Sequence, residues 1–148
     1  MIWNEKAPFD QLLDFANITE LTIDTQNETQ VDLAEIRRVA GSKLRSLTIL
    51  GEVNDRGFEV FPCIDPNGIK EVLRFDKLTK FVVYKLPAEA SFQSFVETLE
   101  GMKPFPFWHA PLKKMLFYFA GNQRRFICLE NFCGVVKMRT TGPYPEDK

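Results

Sequence analysis

The sequence predicts a single α/β domain in which repeated helix–strand units form one parallel sheet. The chain has 148 residues, and 45% of them are hydrophobic, enough for one domain with a substantial core. A short apolar frame recurs four times, and segments with helical spacing lie between its copies. A strand that is followed by a helix and another strand favours parallel pairing with right-handed crossovers.

The recurring frame consists of three apolar residues, separated first by two residues and then by one. Its four copies are Ile18-x-x-Leu21-x-Ile23, Leu44-x-x-Leu47-x-Ile49, Leu78-x-x-Phe81-x-Val83 and Leu112-x-x-Met115-x-Phe117. The last two apolar residues of each copy have the period of two that is expected of a strand. Each copy therefore predicts one strand of the sheet.

Apolar residues at helical spacing occupy the gaps between the frames. They form three stripes, with a shorter one before the first frame: Leu33, Ile36, Val39 and Ala40; Ile69, Val72 and Leu73; Phe92, Phe95, Val96 and Leu99; and Phe9, Leu12 and Leu13. Thr29-x-x-Asp32 is an imperfect capping box before the first stripe, and Gly101 and Pro104 end the third helix. A strand is the alternative for the middle stripe.

The region after Gly121 has two interpretations. Residues 125–129 and 135–138 can form an antiparallel pair at the edge of the sheet, or residues 122–133 can form a helix. Residues 142–148 are polar and contain prolines, so we expect a flexible tail after a domain that spans residues 1–141.

The frames resemble the strand segment of leucine-rich repeats, whose consensus is L-x-x-L-x-L, over about residues 8–120. This resemblance implies a short solenoid that binds another protein. Two segments, Asp-Pro-Asn-Gly-Ile-Lys-Glu-Val at 65–72 and Phe-Val-Glu-Thr-Leu-Glu-Gly-Met-Lys at 95–103, also look like the FTH domain that accompanies F-boxes in nematode proteins. That likeness implies a substrate-recognition module for ubiquitin ligation.

No motif in the sequence carries an enzymatic signature. His109 is the only histidine, and a packed aromatic loop is favoured over a general base. Cys128 and Cys133 could supply two zinc ligands, whereas a structural zinc site needs four. We therefore expect neither an enzyme nor a bound cofactor or metal. An odd number of cysteines and no apparent secretory signal favour a cytoplasmic or nuclear protein.

The residues between the apolar frame positions must lie on the opposite face of the sheet, because strand side chains alternate. From the first copy to the last, this second face changes from acidic and polar to basic, apolar and aromatic. Six of its residues are the candidate partner-binding surface: Lys80, Val82, Tyr84, Lys114, Leu116 and Tyr118. Either this face is an open binding surface, or the tail or the loop at 105–108 covers it.

The predicted function is therefore non-enzymatic binding of another protein. A net charge of −1 disfavours nucleic acid as the partner, and the longest apolar run is too short to cross a membrane. The alternative is a small α/β enzyme or ligand-binding domain, with a pocket near Tyr84, Tyr118 and His109. The oligomeric state stays open.

Overall fold

The chain folds into a mixed α/β structure, seen in a computed structural model that describes residues 2–4, 17–24, 31–40, 43–51, 68–86, 89–103, 108, 111–119 and 125–145. The strands are β1 (Ile2–Asn4), β2 (Glu20–Asp24), β3 (Ser46–Leu50), β4 (Lys80–Leu86), β5 (Lys114–Phe119), β6 (Arg125–Phe132) and β7 (Val135–Arg139). The helices are α1 (Leu33–Ala40), α2 (Ile69–Val72) and α3 (Glu89–Gly101).

The described strands form one sheet in the order β1-β2-β3-β4-β5-β6-β7, so every strand lies beside its neighbour in the sequence. Pairing is parallel from β1 to β5 and antiparallel from β5 to β7. The predicted parallel sheet and the antiparallel C-terminal pair are confirmed. The alternative of a helix over 122–133 is wrong, because β6 occupies residues 125–132. Strand β1 was not predicted.

The strand register aligns the four frames residue by residue. Leu21 pairs with Leu47, Leu47 with Phe81, and Phe81 with Met115. All four side chains are almost fully buried. A shift of one residue in any strand would turn its apolar side chains to the opposite face, so burial of this row fixes the register.

One face of the sheet carries the helices, and we call it the helix face. The buried residues of α1, α2 and α3 form one core cluster with the frame residues of β2 to β5. Phenylalanines fill its centre, in a chain that contains 14 of them. Phe81 and Phe95 contact Phe117 from two sides, with ring centroids 5.9 Å and 5.7 Å away.

The predicted helices at 33–40 and 92–99 are confirmed, and the middle stripe is the short helix α2 rather than a strand. The cap of α1 differs from the prediction. Asp32 is the capping residue, because its Oδ1 accepts a hydrogen bond of 3.2 Å from the backbone N–H of Glu35. Thr29 and the expected helix around Phe9 lie outside the described residues.

None of the helices in the described ranges combines the length and the apolar character that a membrane crossing requires.

Candidate functional site

The structure brings together all six residues of the predicted partner-binding surface. In the register of β4 and β5, Lys80 lies beside Lys114 and Val82 beside Leu116. The rings of Tyr84 and Tyr118 are stacked, with centroids 4.9 Å apart and planes 5° from parallel. Within β4 and β5, the second face of the sheet therefore carries two cations at one end and two aromatic rings at the other.

The apolar part of this second face is closed, which corrects the interpretation of an open surface. Val82 and Leu116 are 0% exposed and Tyr118 is 6% exposed. They form a second, smaller core with Phe126 and Cys128 of β6, and the half-buried Tyr84 packs against it. Val82, Leu116 and Tyr118 therefore stabilise the fold of the free chain, and no partner can reach their side chains in this conformation.

Residues 140–145, the C-terminal segment, lie over one end of this second core. The hydroxyl of Tyr118 donates a hydrogen bond of 2.7 Å to the carbonyl oxygen of Pro145. The ring of Tyr144 lies 5.4 Å from that of Tyr118 and 5.6 Å from that of Phe126. The part of the expected flexible tail that is described, residues 142–145, thus packs against the sheet.

Arg139 fixes the point where the chain leaves β7. Its guanidinium group stands 5.0 Å above the centre of the Phe126 ring, an attractive cation–π geometry. Its Nη1 donates hydrogen bonds of 3.2 Å and 2.6 Å to the carbonyl oxygens of Thr141 and Pro143. The same side chain therefore touches the second core and holds the first turn of the C-terminal segment.

Cys128 lies in the second core as a thiol that is poorly suited to catalysis. Its Sγ donates a hydrogen bond of 3.3 Å to Oε1 of Glu130. Burial, together with the hydrogen bond and the negative charge of Glu130, raises the pKa of the Cys128 thiol to about 11. A nucleophilic cysteine needs a lowered pKa, so this site favours a structural role.

Cations gather where the parallel strands begin. The backbone N–H of Thr79 bonds to the carbonyl of Arg45, and the N–H of Lys113 bonds to that of Thr79, so these three residues lie in one row. The next row contains Lys80 and Lys114 as direct neighbours. Like charges on adjacent strands repel each other. This basic edge, Arg45, Lys80, Lys113 and Lys114, therefore places four cations in two neighbouring rows, with Glu130 opposite Lys114.

A pair of exposed apolar side chains lies at the tip of the β6–β7 hairpin. Phe132 is 53% exposed and Val135 is 58% exposed, and the two are cross-strand partners on the second face. The ammonium group of Lys137 lies 5.9 Å from the centre of the Phe132 ring. We call Phe132, Val135 and Lys137 the hairpin surface. It lies at the same end of the sheet as Lys114, whose partner across the sheet is Glu130, two residues before Phe132.

The hairpin surface was missed in the sequence, although a signal for it exists. Cys133 and Gly134 form a two-residue turn with positive φ angles of 51° and 91°. The amide of Gly134 is also held by a 2.9 Å hydrogen bond to Oδ1 of Asn131. A two-residue loop whose second residue is glycine, placed between two apolar runs, is typical of a β-hairpin. That pattern would have placed Phe132 and Val135 side by side.

Of the three residues near which the pocket was predicted, His109 lies outside the described residues, as does Cys63. The two other residues, Tyr84 and Tyr118, are stacked on each other. Among the described side chains, no group of three or more His, Cys, Asp and Glu is placed to hold a metal ion.

No family model, curated protein or solved structure matches this chain.

Proposed function

We propose that this protein is a non-enzymatic protein-interaction module that contacts its partner through the hairpin surface. The observation that carries the proposal is the adjacent pair Phe132 and Val135, each more than half exposed on one face of an edge hairpin. Aromatic side chains are enriched at the centre of protein interfaces, and polar and charged side chains such as Lys137 are typical of the surrounding rim. The basic edge extends the contact and favours a partner with acidic groups.

This proposal moves the contact away from the closed part of the predicted surface. Lys80, Lys114 and Tyr84 are half-buried and keep part of their side chains at the surface, whereas Val82, Leu116 and Tyr118 are buried. The partner then meets the basic end of the second face together with the hairpin. The buried residues support that surface from below.

The architecture supports a short solenoid of the leucine-rich-repeat type as the scaffold. The strands follow one another in chain order, the four frames are in register, and the described helices pack on one face. Within that architecture, the resemblance to the FTH domain favours recognition of a substrate protein for ubiquitin ligation. A small enzyme or ligand-binding domain ranks second, because Tyr118 is covered at the place where its pocket would open.

The test is an affinity experiment with variants that preserve the fold. Phe132→Ser with Val135→Thr removes the apolar pair and retains a sheet-compatible residue at position 135. Gln93→Ala with Ser94→Ala changes two exposed residues on α3 and is the matched control. Extracts of the source organism are passed over each immobilised protein, and the bound proteins are quantified by mass spectrometry.

We expect at least one protein to bind the wild type and the α3 control equally and to be lost from the Phe132→Ser/Val135→Thr variant. Truncated interface aromatics commonly weaken binding by about 2 kcal/mol or more, which is enough to remove a partner during washing. Equal recovery of every bound protein on all three surfaces would contradict the proposal. Circular dichroism must first show that the variants melt like the wild type.

A further inference from the structure

Strand β7 is the last strand of the described sheet, and one side of its backbone points away from β6. The backbone N–H of Asn131 donates a hydrogen bond of 3.0 Å to the carbonyl of Lys113, so the polar groups of Asn131 face β5. Asn131 is the cross-strand partner of Val136. Pairs that bond across the ladder alternate with pairs that do not, so the N–H and C=O of Val136 point outward. The same holds for Met138, two residues later.

The side chains of β7 give this outer edge two different faces. Val136 and Met138 are half-buried against the core of the helix face. Val135, Lys137 and Arg139 lie on the second face, beside Phe132, Glu130 and Cys128 respectively. A strand added next to β7 would therefore meet aliphatic groups on one face and two cations on the other.

The charge on this edge selects the kind of strand that fits. Lys137 makes no ion pair within the described residues, and its ammonium group rests over the Phe132 ring. Arg139 uses its guanidinium group to hold the C-terminal segment. Opposite charges on neighbouring strands stabilise a sheet and like charges destabilise it. An added strand should therefore carry acidic residues on the second face.

We propose that β7 binds an extended acidic segment of a partner protein as a further strand of the sheet. The segment places aliphatic side chains beside Val136 and Met138, and acidic side chains beside Lys137. Backbone hydrogen bonds to Val136 and Met138 supply the affinity, and the alternation of side chains supplies the specificity. This inference rests on the proposed function, because it specifies the chemistry of the partner.

A second copy of this chain is a poorer occupant of the edge. Two β7 strands that paired antiparallel with Lys137 near the centre would bring the two Lys137 ammonium groups together. Cations on edge strands are a known way in which proteins avoid such self-association. The positive edge therefore disfavours a like strand in this register and favours an acidic one.

The test uses a short blocked peptide of alternating valine and glutamate as the probe. Its binding is followed by fluorescence anisotropy, and hydrogen exchange of the Val136 and Met138 amides is followed by NMR. Peptides in which lysine replaces glutamate, or in which the backbone amides are N-methylated, are the controls. The N-methylated peptide leaves the protein unchanged, so a failure of a variant to fold cannot mimic its effect.

We expect the acidic peptide to bind and to slow exchange of both amides, whereas the lysine and N-methylated peptides do not. Lys137→Glu should weaken binding by about tenfold or more, with a smaller change at high salt. Val136→Pro removes an outward donor without breaking the ladder to β6, and should abolish binding. Equal binding of the acidic and lysine peptides, binding without protection of the two amides, or a concentration-dependent dimer would each overturn the inference.

Failure of this inference differs from failure of the proposed function. If the peptide does not bind, but Phe132→Ser/Val135→Thr still loses a protein from the extract, the interaction module stands and strand addition is wrong. If no protein is lost there either, the hairpin surface has no role in binding.

Discussion

Tyr118 donates a hydrogen bond of 2.7 Å to the carbonyl oxygen of Pro145, and this bond ties strand β5 to the C-terminal segment. The ring of Tyr118 is also stacked on Tyr84 and touches Tyr144. Tyr118, which the sequence left either on an open binding surface or under a covering segment, thus lies in a second core that the C-terminal segment covers.

Tyr118→Ala should consequently destabilise the fold. We expect the free energy of unfolding to fall by about 3 kcal/mol or more, the range for aromatic truncations in a core. Tyr118→Phe retains the ring and loses only the hydrogen bond, for about 1 kcal/mol. Tyr84→Ala should lie between the two, at roughly 1–2 kcal/mol, because Tyr84 is half-buried. Denaturant melts of the three variants measure these values, and an undisturbed Tyr118→Ala melt would show that the second face is open.

The sequence predicted the helix face well, because the apolar residues that form the repeated pattern are the same residues that are buried there. Leu47 is the cross-strand partner of both Leu21 and Phe81. This apolar row can be buried in only one strand register. The period of two in the strands and the helical period between them were sufficient to place β2 to β5, α1 and α3, whereas the segment of α2 was left open between a helix and a strand. Ile127 and Leu129 of β6 also lie in this core, and the local pattern left their segment open between a strand and a helix.

The second face could not be predicted in the same way, because its cover comes from far along the chain. In the sequence, Val82 and Tyr118 alternate with the residues of the helix face, and this alternation is the same for an open second face and for a covered one. Whether Tyr144 and Pro145 reach them depends on how Arg139 turns the chain after β7. The turn at Cys133 and Gly134 was recognisable from the sequence, but the exposure of Phe132 and Val135 beside it depends on β7 being the last strand of the described sheet.

Leu47→Asp should abolish cooperative unfolding. The side chain is 0% exposed in the centre of the helix face, and an unpaired carboxylate there carries a penalty that rivals the whole stability of a domain. Ser46→Asp is the matched control, because Ser46 lies on the second face between its two cross-strand partners, Glu20 and Lys80. A thermal melt should show a normal transition for Ser46→Asp and none for Leu47→Asp. A cooperative transition in Leu47→Asp would refute the assigned register.

The two described cysteines should differ in reactivity. Cys133 is exposed in the hairpin turn, whereas Cys128 is buried and has a pKa raised to about 11. In a Cys63→Ser background, a thiol reagent at neutral pH should modify one cysteine quickly and the other only on unfolding. Peptide mapping should identify Cys133 as the fast site. Rapid modification of Cys128 in the folded protein would show that the second core opens readily.

The raised pKa of Cys128 also predicts how stability depends on pH. The folded state holds the thiol proton more tightly than the unfolded state, in which the pKa has its ordinary value of about 8.5. The contribution of the protonated Cys128 thiol to the free energy of unfolding is therefore fully present below about pH 8.5 and is lost as the pH rises towards about 11. Denaturant melts across this range should show a steeper loss for the wild type than for Cys128→Ala. Parallel pH profiles would contradict the burial of the thiol.

Substitutions of two exposed aromatic residues, Tyr144 and Phe132, should distinguish the surface that stabilises the fold from the surface that binds the partner. Their exposures are similar, at 39% and 53%. Only Tyr144 lies over the second core, in contact with Tyr118 and Phe126. Tyr144→Ala should lower the free energy of unfolding by roughly 1–2 kcal/mol and increase binding of a hydrophobic dye, since it uncovers those rings.

Phe132→Ala is the matched control, and we expect it to change stability by no more than about 0.5 kcal/mol, as surface substitutions usually do. In the affinity experiment the larger effect should instead belong to Phe132. Phe132→Ala should lose the partner, and Tyr144→Ala should retain it at temperatures where that variant is folded. A single variant that lost both stability and partner would not distinguish the two roles. A stable Tyr144→Ala protein that lost the partner would instead make the C-terminal segment part of the contact.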